Sequence, residues 1–241
     1  MTARFQVIAL DGPGGVGKSS AARALAERLG YFFLSSGRIY RALAWSALRR
    51  GWRPGTAPEP ALLDTVLLND VHVELDAEGR LWVNGEAPGD ALASEEISQA
   101  ASQLSTLPAV RALADRVQRD TVAALRRAGR VRGVILEGRD IGTVVFPEAR
   151  HKFFVTAPIA VRAERRYREL VQRDPTVTLE SVAEALAERD RRDEERALAP
   201  LKPAPDALIV DTAAASLEEV VERLARSVRE RSDDGSDGPK A

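Results

Sequence analysis

The sequence predicts an α/β protein built on a five-stranded parallel sheet with helices on both faces. Five short apolar runs have the composition of buried parallel strands. Helical patterns separate these runs, which is the alternation of a doubly covered parallel sheet. A glycine-rich loop lies between the first strand and the first helix, where such sheets bind phosphate groups.

Each element follows from its local pattern. The predicted strands are residues 5–10, 31–34, 133–136, 152–155 and 207–210. The predicted helices are residues 19–29, 38–50, 108–127, 159–172, 179–195 and 217–229. A Gly- and Pro-rich stretch at 51–60 predicts a linker, and apolar–polar alternation at 71–75 and 81–83 predicts a β-hairpin. Residues 232–241 are too polar to pack, which predicts a disordered tail.

Composition excludes several classes of function. The 241 residues carry a net charge of −1, so overall charge does not favour nucleic acid or a membrane surface as a partner. The chain has no cysteine, which excludes disulfides, thiolate metal sites and cysteine nucleophiles and suits a reducing compartment. No apolar run approaches the ~20 residues that cross a bilayer, and the first strand begins too early for a signal peptide. We therefore expect a cytoplasmic protein.

The most specific motif is the phosphate-binding loop at residues 12–19, which matches G-x-x-x-x-G-K-[ST]. Its backbone N–H groups are expected to point at phosphate oxygens, with Lys18 reaching the β- and γ-phosphates and the Ser19 hydroxyl binding Mg²⁺. A plain glycine-rich turn is the alternative, and the strand–loop–helix context disfavours it. The predicted ATP-binding residues are Gly12, Pro13, Gly14, Gly15, Val16, Gly17, Lys18, Ser19 and Ser20.

Charged residues elsewhere in the chain indicate a second phosphate site. The segment Glu137-Gly138-Arg139-Asp140 ends a buried strand, at the sheet edge where ligands bind. Arg38 and Arg41 follow the second strand, and residues 188–196 form a dense run of charges. Several arginines beside one triphosphate would hold a phosphorylated acceptor in line with it, which favours a kinase over a hydrolase. The less specific alternatives are surface charges at Arg38 and Arg41 and a solvated helix face at 188–196.

Together these motifs resemble the bacterial cytidylate kinases, which are nucleoside monophosphate kinases of the P-loop kinase type. The matching segments are residues 8–13, 36–37, 39–41, 100–103, 108–111, 138–147 and 188–201. The resemblance implies a P-loop kinase core of residues 1–50 and 103–231, an acceptor-binding insert of residues 51–102, and a short lid at about 162–173. It also implies phosphorylation of CMP and dCMP by ATP, with Mg²⁺, in pyrimidine nucleotide metabolism.

The resemblance assigns the phosphate chemistry to particular residues. Lys18, Arg41 and Arg139 correspond to the catalytic groups, and the two arginines would clamp the CMP phosphate because a guanidinium binds phosphate as a bidentate fork. In the lid, Arg165 and Arg166 would close over the phosphates. We expect no side chain to act as an essential general base, since the acceptor phosphate is already a charged nucleophile.

The resemblance also assigns the nucleoside contacts. The groups around the cytosine ring correspond to Ser36, Ser102, Arg111, Asp140 and Arg196, and those on the sugar hydroxyls to Arg189 and Asp193. The Asp140 carboxylate would accept a hydrogen bond from the cytosine amino group, as Asp does with the same edge in DNA. Arg111 and a serine hydroxyl would donate to the ring acceptors.

The chain departs from the family pattern at four places. Ser35 stands where the family usually has Asp, and Arg38 stands where it has a small residue. Ala93 or Ser94 aligns with a common Arg, so one phosphate contact is lost unless another residue such as Arg38 supplies it. Glu137 conservatively replaces a common Asp.

Two rival functions follow from the same motifs. An adenylate-type kinase shares the Ser-Gly segment after the second strand, but it would carry Asp-Gly-Phe-Pro-Arg where this chain has residues 137–140. A non-catalytic nucleotide sensor would not need both Lys18 and Ser19. A GTPase is disfavoured because no N-K-x-D motif is present. We expect a monomer with small-molecule substrates, and we expect His72 and His151 to be surface or insert residues.

Overall fold

A five-stranded parallel sheet forms the centre of the molecule, as the sequence predicts. The computed structural model describes residues 5–55, 71–76, 79–172 and 174–233. The strands are β1 (Gln6–Asp11), β2 (Phe32–Ser35), β3 (Val73–Leu75), β4 (Leu81–Val83), β5 (Gly133–Gly138), β6 (His151–Thr156) and β7 (Leu208–Asp211). The parallel sheet has the order β2-β5-β1-β6-β7, and β3 pairs with β4 in the predicted antiparallel hairpin.

The six predicted helices are all present, with ends that shift by a few residues. The helices are α1 (Lys18–Leu29), α2 (Ser36–Arg49), α3 (Glu95–Leu104), α4 (Pro108–Ala128), α5 (Ile159–Leu170), α6 (Leu179–Glu195) and α7 (Leu217–Asp233). A short 3₁₀ helix at Gly89–Ala93 and a π-helical turn at Ile141–Val145 complete the described elements. Residues 56–60 of the predicted linker and 234–241 of the predicted tail lie outside the described residues. The predicted start of the tail is wrong, because Ser232 and Asp233 are the last two residues of α7.

The helix α3 is an addition to the predicted set. Its first turn is capped by the Ser94 hydroxyl, which accepts a hydrogen bond from the Ile97 N–H at 3.3 Å. Its buried side includes Ile97, Ala100 and Leu104, whose spacing is helical. Most of this face is built from small Ala and Ser side chains, so its apolar periodicity is weak in the sequence. The proposed boundary between insert and core, at residue 102, falls inside α3.

Two apolar layers pack on opposite faces of the sheet. On β1, Ile8 and Leu10 pack with α1 and α7, whereas Ala9 faces the layer of α2, α3 and α4, because strand side chains alternate between faces. Val73 and Val83 of the hairpin are buried in that second layer. The hairpin therefore shares its core with α2 and α4.

The sheet brings the chemically interesting segments to one edge. The phosphate loop follows β1, and residues 137–140 end and follow β5. Ser35 ends β2, and Ser36 begins α2. Since β2, β5 and β1 are adjacent and parallel, their carboxyl ends meet at the same edge of the sheet. Within the described part of the chain, no helix is both long and apolar enough to cross a lipid bilayer.

The expectation that His151 is a surface or insert residue is wrong. His151 is the first residue of β6, and its side chain is fully buried. Because β6 pairs with both β1 and β7, its residues are covered on each side. His72, by contrast, is exposed beside the hairpin and contacts Glu74.

Candidate active site

The phosphate loop connects β1 to α1 with a backbone that only glycine fits at its first position. Gly12 has φ of +146°, and a Cβ placed there would lie 2.0 Å from the carbonyl oxygen of Val155. Gly15 has φ of +75° and packs against the backbone of Arg162. The loop therefore curls closely against neighbouring elements. Residues 17–20, at the N-terminus of α1, line the cavity beside the loop.

Lys18 lies at the start of α1 and folds back over the loop. Its Nζ donates a hydrogen bond to the Pro13 carbonyl at 2.6 Å. Burial, with a smaller contribution from the nearby Arg139 guanidinium, lowers the pKa of Lys18 to about 7. The ammonium is thus a buried cation poorly compensated by its surroundings, which is the condition for attracting an anion such as a phosphate group.

A hydroxyl–carboxylate pair lies beside the loop. The Ser19 hydroxyl donates to Glu137 Oε1 at 3.1 Å, and the Ser35 hydroxyl donates to the same oxygen at 2.6 Å. Glu137 therefore supplies a carboxylate beside Ser35, the position at which the resemblance leads us to expect an Asp. One carboxylate with one hydroxyl fits Mg²⁺, which keeps several waters and completes its shell with substrate phosphates. Among the described residues, no group of three or more His, Asp or Glu side chains forms a protein-only metal cage.

The Asp11 carboxylate is bound by backbone N–H groups and is not hydrogen-bonded to the Ser19–Glu137 pair. Its two carboxylate oxygens accept hydrogen bonds from the N–H groups of Ile141 and Gly142, at 2.8 and 2.7 Å. Burial raises the pKa of Asp11 to about 6, against the effect of these two bonds. Asp11 thus anchors the π-helical turn that follows Arg139 and Asp140, and so helps to fix the backbone position of those two residues.

All nine residues that the sequence predicts for CMP binding line a single cavity. They are Ser36, Arg41, Ser102, Arg111, Arg139, Asp140, Arg189, Asp193 and Arg196. The cavity is bounded by α2, α3, α4, the end of β5 and α6. A neighbouring cavity shares Arg41, Glu137, Arg139 and Arg189 with it and also includes Lys18 and Ser19. The structure thus places the predicted acceptor residues next to the phosphate loop.

The arginines between the two cavities are only partly neutralised. Arg139 donates from Nε to Asp193 Oδ2 at 2.9 Å. The Nε of Arg189 is buried and has no hydrogen-bond partner among the described residues. Burial, followed by the Arg139 charge, lowers the pKa of Arg189 to about 10, and burial also lowers the pKa of Arg41. Repulsion among these cations would be relieved by a phosphate group bound between them.

The far end of the acceptor cavity is a buried charged network. Arg111 and Asp140 form an ion pair through Arg111 Nη2 and Asp140 Oδ2. Arg196 Nη2 lies 3.8 Å from Asp140 Oδ1 and has no hydrogen-bond partner in the described chain. Burial raises the pKa of Asp140, against the lowering effect of Arg111 and Arg196. This end of the cavity thus presents the Arg196 Nη2 donor next to the Asp140 carboxylate, which suits a flat ligand with both hydrogen-bond donors and acceptors.

The two predicted lid arginines occupy different environments. Arg166 lines the cavity of the phosphate loop and donates to Glu95 Oε2 of α3 at 3.0 Å. Arg165 instead donates to the Thr212 carbonyl at 2.6 Å, beyond the end of β7. Arg38, considered as a substitute phosphate ligand, donates to the Gly79 carbonyl at 3.0 Å in the hairpin. The structure therefore brings Arg166, but neither Arg165 nor Arg38, into the candidate site.

Sequence reasoning missed Arg162 and Tyr40. Arg162 Nη1 donates to the Gly14 carbonyl at 3.1 Å and to Asp190 Oδ2 at 2.5 Å, so it ties the phosphate loop to α6. Tyr40 lines the acceptor cavity below Arg111, and its buried hydroxyl has no hydrogen-bond partner in the described residues. The sequence offers one sign of each. Arg162 follows an apolar run at the start of α5, and Tyr40 lies on the apolar face of α2, and both positions predict burial.

Comparison with known proteins gives one family. A family model described as Cytidylate kinase matches residues 8–230. The "Cytidylate kinase" of Geobacter sp. (strain M21) is 41% identical over 233 residues, covering 96% of this chain and 96% of that protein. The "Cytidylate kinase" of Methylococcus capsulatus (strain ATCC 33009 / NCIMB 11132 / Bath) is 42% identical over 217 residues, covering 90% and 93%.

Some relatives are longer. The "Bifunctional pantoate ligase/cytidylate kinase" of Synechococcus sp. (strain JA-3-3Ab) is 41% identical over 234 residues. That match covers 95% of this chain but 42% of the relative, so the chain spans about two fifths of the bifunctional protein. It spans nearly all of the Geobacter and Methylococcus proteins.

Proposed function

This chain belongs to the cytidylate kinase family, and we propose that it transfers the terminal phosphoryl group of ATP to CMP or dCMP, yielding ADP and CDP or dCDP. One observation carries the proposal: the nine predicted acceptor residues line one cavity, and that cavity adjoins the phosphate loop. A hydrolase needs only one phosphate site, whereas this arrangement offers two sites that share Arg41, Arg139 and Arg189.

On this proposal, ATP binds with its β- and γ-phosphates in the loop of residues 12–19. The loop N–H groups and the N-terminus of α1 hold the phosphate oxygens, and the Lys18 ammonium follows the γ-phosphoryl group during transfer. Mg²⁺ held by Ser19 and Glu137 would supply charge neutralisation on the β- and γ-phosphates. Arg162 stabilises the loop, because its guanidinium donates a hydrogen bond to the Gly14 carbonyl.

The acceptor would bind with its phosphate toward the loop and its base away from it. Arg41 and Arg139 lie between the two cavities, where they can hold the CMP phosphate in line with the γ-phosphate of ATP. Arg189 and Asp193 lie on α6, about two turns and about one turn before Arg196 at the base end of the cavity, and would hold the sugar hydroxyls. Positioning and charge neutralisation supply the rate, and no general base is required.

Cytosine would be recognised at the buried end of the cavity. Asp140 would accept from the exocyclic amino group, and Arg111 and Ser102 would donate to the ring acceptors. The ion pair with Arg111 keeps Asp140 oriented toward the cavity. UMP carries a carbonyl oxygen in place of the amino group, so it would face the Asp140 carboxylate with an acceptor and bind less well.

Closure of the insert, residues 51–102, and of the lid, about residues 162–173, completes the proposal. The Arg166–Glu95 ion pair joins α5 to α3 across the phosphate cavity, which supports an approach of these two segments over the substrates. Exclusion of water would protect ATP from hydrolysis until the acceptor is bound. We also propose that the protein acts in the cytoplasm and that it is a monomer. Light scattering on the purified protein tests the oligomeric state.

A substrate screen tests the function directly. ADP release is measured with ATP, Mg²⁺ and each of CMP, dCMP, UMP and AMP, and with ATP alone. We expect CMP and dCMP to be used at least about tenfold more efficiently than UMP and AMP. Fastest turnover with AMP would favour the adenylate-type alternative, and turnover with none would favour the nucleotide sensor. Equal rates of ADP release with and without CMP would contradict the proposed closure.

A further inference from the structure

Two hydrogen bonds join α3 to α6 beside the acceptor cavity. Arg189 Nη1 donates to Ser98 Oγ at 3.4 Å, and Arg192 Nη1 donates to Ser102 Oγ at 3.0 Å. Residues spaced by three or four share a helix face, so the two serines and the two arginines form matching rows. Arg189 lines the cavity itself, whereas Arg192 is not among the lining residues. In the part of the chain that the structure describes, Arg192 is joined to this cavity through its hydrogen bond to Ser102.

The direction of the Ser102 bond is settled by chemistry. A guanidinium has only donors, so the Ser102 hydroxyl oxygen must be the acceptor. Ser102 is buried and lines the acceptor cavity, while the Arg192 side chain is about one third exposed on α6. A hydroxyl that accepts from a charged donor turns its own proton away from that donor and becomes a stronger donor itself. The Ser102 proton is thereby available to a ligand in the cavity.

We propose that Arg192 is a positioning residue that orients Ser102 as a hydrogen-bond donor and so contributes to the choice of cytosine over uracil. The inference rests on the proposed function. Ring nitrogen N3 of cytosine accepts a hydrogen bond, whereas N3 of uracil carries a proton and donates. A Ser102 hydroxyl committed to donation matches cytosine and mismatches uracil. Without Arg192, the hydroxyl rotates freely and can present a lone pair to the uracil N3–H instead.

A neighbouring residue offers a matched control. Arg191 has the same side chain and is the adjacent residue on α6, but its recorded partners are Glu188 and Glu195 of its own helix. Arg192 Nη2 also lies 3.5 Å from Glu188. Removal of either arginine therefore weakens the exposed ion pairs on α6, and only removal of Arg192 takes the donor from Ser102.

The test compares Arg192→Met, Arg192→Lys and Arg191→Met with the unchanged protein, using kcat and KM for CMP and UMP and KM for ATP. We expect Arg192→Met to raise the KM for CMP by roughly fivefold to tenfold, with kcat within about twofold and the KM for ATP unchanged. The preference for CMP over UMP should fall by a similar factor. Arg192→Lys keeps a donor and should recover most of the preference, and Arg191→Met should leave all values unchanged.

A double-mutant cycle separates action through Ser102 from a general structural effect. In a Ser102→Ala background, Arg192→Met should cause little further loss in CMP use, because the hydroxyl that it orients is already absent. Full additivity of the two losses would overturn the inference, and so would an unchanged CMP preference in Arg192→Met. Equal losses toward CMP and ATP would also overturn it. If the unchanged protein fails to phosphorylate CMP at all, the proposed function itself falls, and this inference falls with it.

Discussion

The hydroxyl of Ser19 donates to Glu137 Oε1 over 3.1 Å, although 118 positions of sequence separate the two residues. Ser19 is the last residue of the phosphate loop and lies in the first turn of α1, and Glu137 lies at the end of β5. The contact exists because β5 pairs with β1, with Leu10 opposite Glu137. The same pairing that builds the sheet therefore builds the oxygen pair that we assign to Mg²⁺.

Replacement of Glu137 by Gln should weaken Mg²⁺ use while preserving the hydrogen bonds. The amide oxygen can still accept from Ser19 and Ser35, but the negative charge that attracts the cation is lost. We expect the Mg²⁺ concentration for half-maximal activity to rise, and kcat to fall, by at least about tenfold. Glu148→Gln, an exposed carboxylate in the loop before β6, is the control and should change neither value. Unchanged Mg²⁺ dependence in Glu137→Gln would remove Glu137 from the cation site.

Lys18 should take up a proton when ATP binds above neutral pH. Burial, then the charge of Arg139, lowers the pKa of Lys18 to about 7, so the amine is mostly neutral at about pH 8. The phosphates of ATP favour the ammonium and raise that pKa, which draws a proton from the buffer. Calorimetry of ATP binding in buffers of different ionisation enthalpy measures this uptake. Heats that do not depend on the buffer at that pH would contradict it.

Removal of the Lys18 ammonium should abolish most turnover without unfolding the protein. Within the described residues, Lys18 Nζ hydrogen-bonds only to the Pro13 carbonyl of its own loop, so Lys18→Met deletes little of the folded structure. We expect kcat to fall by at least about a hundredfold, with the thermal midpoint close to that of the unchanged protein. Lys202→Met removes an exposed lysine and should retain full activity. Near-normal kcat in Lys18→Met would discard the proposed mechanism.

Asp140→Asn should shift base preference from cytosine toward uracil. The amide keeps an oxygen for Arg111 but adds an N–H₂ donor that can pair with the carbonyl oxygen of uracil. We expect the kcat/KM for CMP to fall by about tenfold or more, which corresponds to about 1–3 kcal/mol for one specific contact, and the UMP/CMP ratio to rise. Asp120→Asn, an exposed carboxylate on α4, serves as the control. An unaltered ratio would remove Asp140 from the base pocket.

His151 should make the protein less stable in mild acid. Burial, then the charges of Arg150 and Arg231, lowers the pKa of His151 to about 4, below its usual 6.5. The folded protein therefore favours the neutral ring, whereas the unfolded chain takes up a proton below about pH 6.5. The free energy of unfolding is highest above that pH and decreases as the pH falls toward 4. At about pH 5 the loss amounts to about 2 kcal/mol.

Urea unfolding at about pH 7.5 and about pH 5 measures this effect. The unchanged protein should lose more unfolding free energy between the two conditions than His151→Leu does, by about 2 kcal/mol. His72→Gln alters the exposed histidine and should behave like the unchanged protein. Equal acid sensitivity in His151→Leu and the unchanged protein would show that another group causes the loss.

Much of the fold and many residues of the candidate site could be predicted from the sequence. The residues that could not be predicted share a cause, which is that their surroundings depend on the packing of distant elements. The sequence could not decide between Arg165 and Arg166 as lid residues. Adjacent residues on a helix point about 100° apart, and the orientation of α5 directs Arg166 to the phosphate cavity and Arg165 to Thr212. The burial of His151 is equally hidden from the sequence, because one polar residue at the start of an apolar strand carries no local sign of burial.

The sequence by itself determined the strands, the phosphate loop and the family motifs. These are local features, set by the backbone preferences of glycine and by the periodicity of apolar residues within single elements. Only the tertiary structure decided which side chains face one another: Glu137 beside Ser19, Arg162 beneath Gly14, and Arg192 against Ser102. The partners in each pair come from elements that are distant in sequence. Their contact therefore depends on strand order and helix packing, which no local pattern encodes.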